Sequence, residues 1–173
     1  MNAHPQAQPA PPPWWQVVLI GRRPKRTLVR IMVLVVACFL LREFALLPIR
    51  IVGISMQPTY QDRAINCVNR LAYVFHEPRR GDVVGIRLAG EHVLYLKRIV
   101  GLPGETVAFH RGRLLINGQP LSEPYASPCR WELPPVPVKP DEYYVVGDNR
   151  SMRAADHYMG KVENWRIVGK ILL

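Results

Sequence analysis

One apolar run constrains this chain more than any other feature. Residues 28–47 read LVRIMVLVVACFLLREFALL, with Arg22, Arg23, Lys25 and Arg26 just upstream and Arg30 inside the run. Its uninterrupted apolar core, 31–41, is eleven residues long. That is short of the roughly 20 needed to cross a bilayer, and alone it suits a buried helix or a signal-peptide core. Extending the run through Phe44 to Leu47 reaches the required length. Arg42 and Glu43 then fall near one end, where long charged side chains reach an interface at modest cost. A cleavable export signal would be followed by small residues of the A-x-A type, and here Arg42-Glu43-Phe44 follows instead. The basic cluster is the usual cytoplasmic flank. The expected layout is a cytoplasmic tail over 1–27, a retained membrane anchor over 28–47 and an extracytoplasmic domain over 48–173. Pro48 is expected to end the anchor helix, since it lacks an N–H and disfavours helix at its predecessor.

Charge and cysteines narrow the function classes. The formal net charge is +10, a balance that suits nucleic acid or an anionic membrane surface. Much of it lies beside the apolar run, and no zinc-finger spacing, basic helix or aromatic RNA-binding motif accompanies it, so nucleic acid is not an expected partner. Cys38, Cys67 and Cys129 form no C-x-x-C pair, and no His/Asp/Glu spacing suggests a metal, so no cofactor is expected. Cys67 and Cys129 are open to two readings, a disulfide or two free thiols. The prolines cluster at 5–13 and 124–140, marking a tail and a surface loop. Trp14 and Trp15 with residues 17–20 form an apolar patch, either resting on the cytoplasmic interface or without a role.

Beyond Pro48 the chain breaks into short β-type runs at 49–54, 64–68, 82–88, 93–100, 106–110, 113–116, 143–146 and 166–172. Period-two alternation along 93–100 puts Lys97 on the face of Val93, Tyr95 and Ile99. Asn117-Gly118 is a strong hairpin signal and 101–104 reads as a tight turn. Close strand spacing without long helical periodicity predicts a mainly β domain, sandwich or barrel, behind the single helix.

Three short blocks carry the chemistry. The first is Gly53-Ile54-Ser55-Met56-Gln57-Pro58-Thr59, where Ser55 is either a turn residue or a nucleophile. The second runs from Tyr95-Leu96-Lys97-Arg98-Ile99-Val100 to Glu105. A lysine inside an apolar strand is either an edge residue facing solvent or a buried amine with a lowered pKa, as a lysine base requires. The third is Gly147-Asp148-Asn149-Arg150-Ser151, alone no more than a polar turn.

In order and spacing, these blocks resemble the type I signal peptidases. The resemblance also includes Arg42 at the end of the apolar run and Arg80-Gly81-Asp82-Val83, and it extends over nearly all of 42–173. It implies a serine endopeptidase with Ser55 as nucleophile and neutral Lys97 as general base, acting on exported preproteins after small-x-small motifs at the outer face of a lipid bilayer. The Ser55 N–H would be one oxyanion donor. A serine hydroxyl that supplies the second in some relatives is replaced here by Gly53, leaving backbone or water. Asp148 matches the acid that pairs with the arginine after the lysine, here Arg98. An extended substrate would add as a strand beside Ile54, Met56, Val93 and Tyr95.

One departure from the family pattern stands out. The third block usually continues D-N-S-x-D-S-R. Here the serine that hydrogen-bonds the lysine falls at Arg153, and the supporting Asp and Arg fall at Ala155 and His157. Ser151 or Asp156 would have to orient Lys97 instead, or activity would be reduced. A Ser-His-Asp arrangement using His157 with Asp148 or Asp156 is the variant reading. Two further alternatives are a specialised processing peptidase of the same fold and a non-catalytic, membrane-tethered binder of exported polypeptides.

Overall fold

The structure, a computed structural model, describes residues 24–87 and 94–172. Val93 and His92, Trp14, Trp15 and most of the expected tail lie outside the described residues. The chain divides into two compact units, at residues 1–41 and 42–173.

The first unit contains helix α1, Pro24–Leu40, opened by a proline at the one helical turn that tolerates it. Its large apolar side chains, Leu28 through Leu40, are exposed. No helix among the described residues is long and apolar enough to cross a membrane. A π-helical turn follows at Leu41–Ala45. The helical run therefore stops before the expected boundary, and Pro48 does not end it. Leu46 and Leu47 already belong to strand β1, Leu46–Arg50, where they pair with Asn69 and Val68. Pro48 is tolerated there because β1 is an edge strand, with a side that needs no N–H.

The second unit is mainly β, as expected, but its strands form two antiparallel sheets. The seven-stranded sheet contains β1, β2 (Ile65–Asn69), β3 (Val83–Arg87), β4 (Leu94–Gly101), β9 (Glu142–Val146), β10 (Gly160–Glu163) and β11 (Ile167–Ile171). Its order is β1-β2-β11-β3-β4-β9-β10. The four-stranded sheet contains β5 (Thr106–His110), β6 (Arg113–Ile116), β7 (Gln119–Pro120) and β8 (Leu133–Pro137), in the order β7-β6-β5-β8. Asn117 and Gly118 both adopt positive φ between β6 and β7, as a two-residue hairpin turn demands. Two expectations need correction. Residues 51–54 are not strand but the start of an irregular loop. The proline-rich stretch 124–140 is more than a surface excursion, since it supplies β8 and buries Trp131 and Val138. Leu133 and Val136 pack on the core across a register shift, and proline is admissible because β8 is an edge.

The sheets join through a shared core of Val100, Val107, Phe109, Leu114, Trp131 and Tyr144 with their neighbours. A second cluster under the opposite end of β4 contains Met56, Tyr60, Val68, Val83 and Leu96. Strand β4 thus belongs to both cores, and residues 96–101 are buried throughout. Gly101 lies where the sheets meet. A Cβ there would run into Val107 and lie 2.9 Å from Tyr144 Cβ. Gly101→Ala is expected to destabilise the domain by about 1–3 kcal/mol through overpacking. A urea midpoint unchanged from wild type would contradict this packing.

Candidate active site

The buried strand β4 carries Lys97 with only 3% of its surface exposed. Its Nζ donates to Ser55 Oγ at 2.7 Å, although the two residues are 42 positions apart in sequence. Burial lowers the lysine pKa to about 8, because the ammonium has lost its water, while the negative charge of Asp148 opposes the shift. The solvent-facing reading of Lys97 therefore fails: its side chain is buried and Ser55 contacts its amine.

Ser55 sits on the irregular loop after β1, and that loop is held at several points. Gly53 adopts φ +104° and its N–H donates to Asp62 Oδ1 at 2.8 Å. Asn149 forms a two-point clasp. Its backbone N–H donates to the Ser55 carbonyl at 3.0 Å and its side-chain amide donates to the Ile54 carbonyl at 3.0 Å. Gly147 permits this close approach, since a Cβ there would overlap the Ser55 carbonyl oxygen. Met56 is buried beneath the loop and anchors it to the second core.

The segment carrying Asn149 is fixed by the neighbouring ion pair. Arg98 donates to both oxygens of fully buried Asp148, through Nε at 2.8 Å and Nη2 at 2.6 Å. Thr59 Oγ1 donates to the same carboxylate at 2.6 Å, and Arg98 Nη1 donates to the Gly81 carbonyl at 2.7 Å. The Tyr125 ring lies 3.9 Å from the guanidinium carbon, covering its face. A charged pair this buried is tolerated only because its lone pairs and N–H groups are nearly all used.

An open cleft of about 330 Å³ runs past Ser55 and Lys97, between residues 49–53 and 94–97. Met56 and Tyr95 contribute to its lining. Tyr95 packs against Tyr158 with ring centroids 5.3 Å apart. Ile54 is about half exposed and is not part of this lining.

Residues 25–173 match the family described as "Signal peptidase, peptidase S26". The chain belongs to this signal peptidase family. A probable signal peptidase I-1 of Synechocystis sp. is 32% identical over 176 aligned positions, covering 96% of this chain and 86% of its own length. The signal peptidase I of Leptolyngbya laminosa is 38% identical, covering 69% of this chain. The chain spans 63% of that relative's length and 56% of a probable signal peptidase I-2 of Synechocystis sp.. A solved signal peptidase I from Enterococcus faecalis aligns with 56% of the chain at 27% identity and a TM-score of 0.43; the family assignment does not draw on it.

For this signal peptidase family member, the departing stretch 151–157 runs differently from each expectation. Arg153 does not stand beside Lys97. Its guanidinium is 84% exposed and forks onto Asp156 at 2.8 and 3.1 Å. Asp156 is thereby engaged at the surface. Ser151 Oγ donates to Asn149 Oδ1 at 2.5 Å rather than orienting the lysine. His157 lies inside the site, but its ring nitrogen bonds the Asn149 carbonyl rather than either aspartate. The Ser-His-Asp variant therefore lacks its hydrogen-bond chain. Asn149 and Thr59 are the residues that sequence reasoning left without roles. Both stand inside the quoted blocks, and Asn149 directly follows Asp148, which had been given one.

Asp148→Ala strands the buried Arg98 charge and removes three acceptor contacts at once. A loss of about 3–5 kcal/mol is expected in equilibrium denaturation. A loss below 1 kcal/mol would mean the pair does not hold this corner.

Proposed function

We propose that this chain is a membrane-anchored serine endopeptidase that removes signal peptides from exported preproteins. The observation that carries the reading is a buried, pKa-depressed amine 2.7 Å from a serine hydroxyl beside an open cleft. Few other arrangements activate a hydroxyl without histidine or metal.

In the proposed reaction, neutral Lys97 accepts the Ser55 hydroxyl proton as Oγ bonds to the scissile carbonyl carbon. The developing oxyanion takes the Ser55 N–H. The resulting ammonium returns its proton to the departing amine as the C–N bond breaks, leaving an acyl-serine. Water then adds, with Lys97 again taking the proton, and the acyl–oxygen bond breaks to free Ser55. The cleft between 49–53 and 94–97 suits an extended peptide. Along 94–97, β4 is paired with β3, and its pairing with β9 begins only at Arg98. The open side is an edge that a substrate strand can complete. Small residues flanking the scissile bond fit a cleft of this size. The exposed apolar side chains of α1 and the basic residues at its start support anchoring through this helix, with the amino terminus cytoplasmic and the β domain outside.

The direct test is cleavage of a preprotein in detergent by wild type, Ser55→Ala and Lys97→Ala. Both variants are expected to lose at least about a thousandfold, as for other nucleophile–base pairs. Full activity in either variant rejects the pair, and a wild type inert toward every preprotein tried favours a binding role. The wild-type rate is expected to fall on the acid side with a midpoint near the lysine value of about 8. The sign follows from the base having to be neutral, a state populated only above that pH.

A stability consequence follows from the same shift. The folded-state pKa lies below the ordinary 10.5. The unfolded chain therefore gains a proton first as pH falls from about 10.5 toward 8, and folding stability drops across that window. Lys97→Met removes the cost of holding a cation in a dry site. The inactive variant is expected to be more stable than wild type at pH 7 by up to about 3 kcal/mol, at about 1.4 per pKa unit. Thermal denaturation of the two proteins checks it, and a less stable variant contradicts it.

A further inference from the structure

His157 occupies a place that neither the resemblance nor the reaction above explains. The residue is only 7% exposed. One ring nitrogen, Nε2, lies 2.7 Å from the Asn149 carbonyl oxygen. A carbonyl can only accept, so Nε2 carries the hydrogen and the ring is the neutral Nε2–H tautomer or the cation. The other nitrogen, Nδ1, is buried without a partner. Charging the ring would put a hydrogen on Nδ1 with nothing to receive it. Trp131 meets the imidazole edge-on with centroids 5.0 Å apart, and Gly147 leaves room for it: a Cβ there would lie 2.7 Å from His157 Cε1.

The charges around it point the same way. Lys97 from β4 and Arg150 from the segment after β9 both disfavour the imidazolium, while Asp156 on its own turn favours it. Burial is the largest influence and pushes the pKa below its ordinary value; the Asn149 carbonyl acts against it. From β9 onward, the other groups packed against the ring, Gly147 and the Asn149 backbone, are neutral.

Asn149 is the residue that grips the nucleophile loop, through its N–H on Ser55 and its amide on Ile54. With its carbonyl held by His157, the Asn149 peptide is fixed on both faces. We propose that His157 is a positioning residue of this peptidase, a neutral imidazole that holds Asn149, and through it Ser55, in place against Lys97. It stands where the family pattern has a fixed cation. Arginine there would place a permanent positive charge near the base, and histidine supplies the donor without the charge.

This inference rests on the peptidase reading, so one arm of its test needs no catalysis. Full-length protein in detergent is compared as wild type, His157→Phe, His157→Gln and His157→Arg. On a preprotein substrate, His157→Phe is expected to lose about tenfold in kcat with KM within twofold. His157→Gln, whose amide can offer the same donor, is expected to recover to within threefold of wild type. In the second arm, NMR titration of Lys97 without substrate follows its pKa. His157→Arg is expected to lower it by at least half a unit, and His157→Gln to leave it in place.

A His157→Phe enzyme with wild-type kcat, a loss confined to KM, or no recovery in a folded His157→Gln protein overturns the proposal. So does a Lys97 titration indifferent to His157→Arg. Should His157→Phe fail to fold, the glutamine and arginine variants decide alone. A wild type without peptidase activity, but with the expected Lys97 shift, would count against the function and leave the geometry standing.

Discussion

The buried contact between Arg98 and Asp148 determines where nearly everything else at the site can be. Arg98 neighbours Lys97 on β4, and Asp148 neighbours Asn149 on the segment after β9. Joining the two side chains brings the lysine and the asparagine clasp into one corner. Thr59, on the far side of the Ser55 loop, donates to the same carboxylate. A single acid therefore ties together three separate chain segments, each carrying one functional block. Such a pair contributes little net stability, because desolvation offsets most of its Coulomb energy. Its value is in specification: any arrangement that separates the blocks leaves a charge buried alone.

That lock makes a dry lysine sustainable. An amine lacking water relaxes either by reaching solvent or by local unfolding, and β4 prevents both. Its residues feed hydrophobic clusters on both sides of the lysine, through Leu96 before it and Ile99 and Val100 after it. Moving Lys97 outward would strip both. The depressed pKa is thus held in place by packing elsewhere, and the functional strain is offset by apolar burial on either side.

Much of this was legible in the sequence, for identifiable reasons. Strand 113–116 ends where Asn117-Gly118 predicts, because a two-residue turn with two positive φ values fixes its register against 119–120. Proximity of Ser55 to Lys97 was reachable only through the order of the short blocks, since a separation of 42 positions carries no local signal of contact. The misreadings share one cause. Pro48, the prolines of β8 and the charges at 151–157 were interpreted from local preference, and tertiary context overrode it. Edge strands accept proline where their N–H side is free. Arg153 found Asp156 three residues away and went to the surface, so its nearness in sequence to the site meant nothing.

The same stretch shows why loss of the usual serine and arginine need not empty the site. In the family pattern that serine hydrogen-bonds the lysine. Here the surrounding contacts converge instead on Asn149. Ser151 and Ser127 reach its side-chain oxygen, and His157 reaches its carbonyl. The contacts gather on the loop that carries Ser55 rather than on Lys97. Burial already brings the lysine pKa down to about 8. A serine on an irregular loop, by contrast, has its position set by whatever holds the loop, so contacts on Asn149 bear on where the hydroxyl sits. On this view the altered block is a redistribution of the same constraint, made possible because Asn149 lies between Asp148, which the fold cannot lose, and Ser55, which the chemistry cannot.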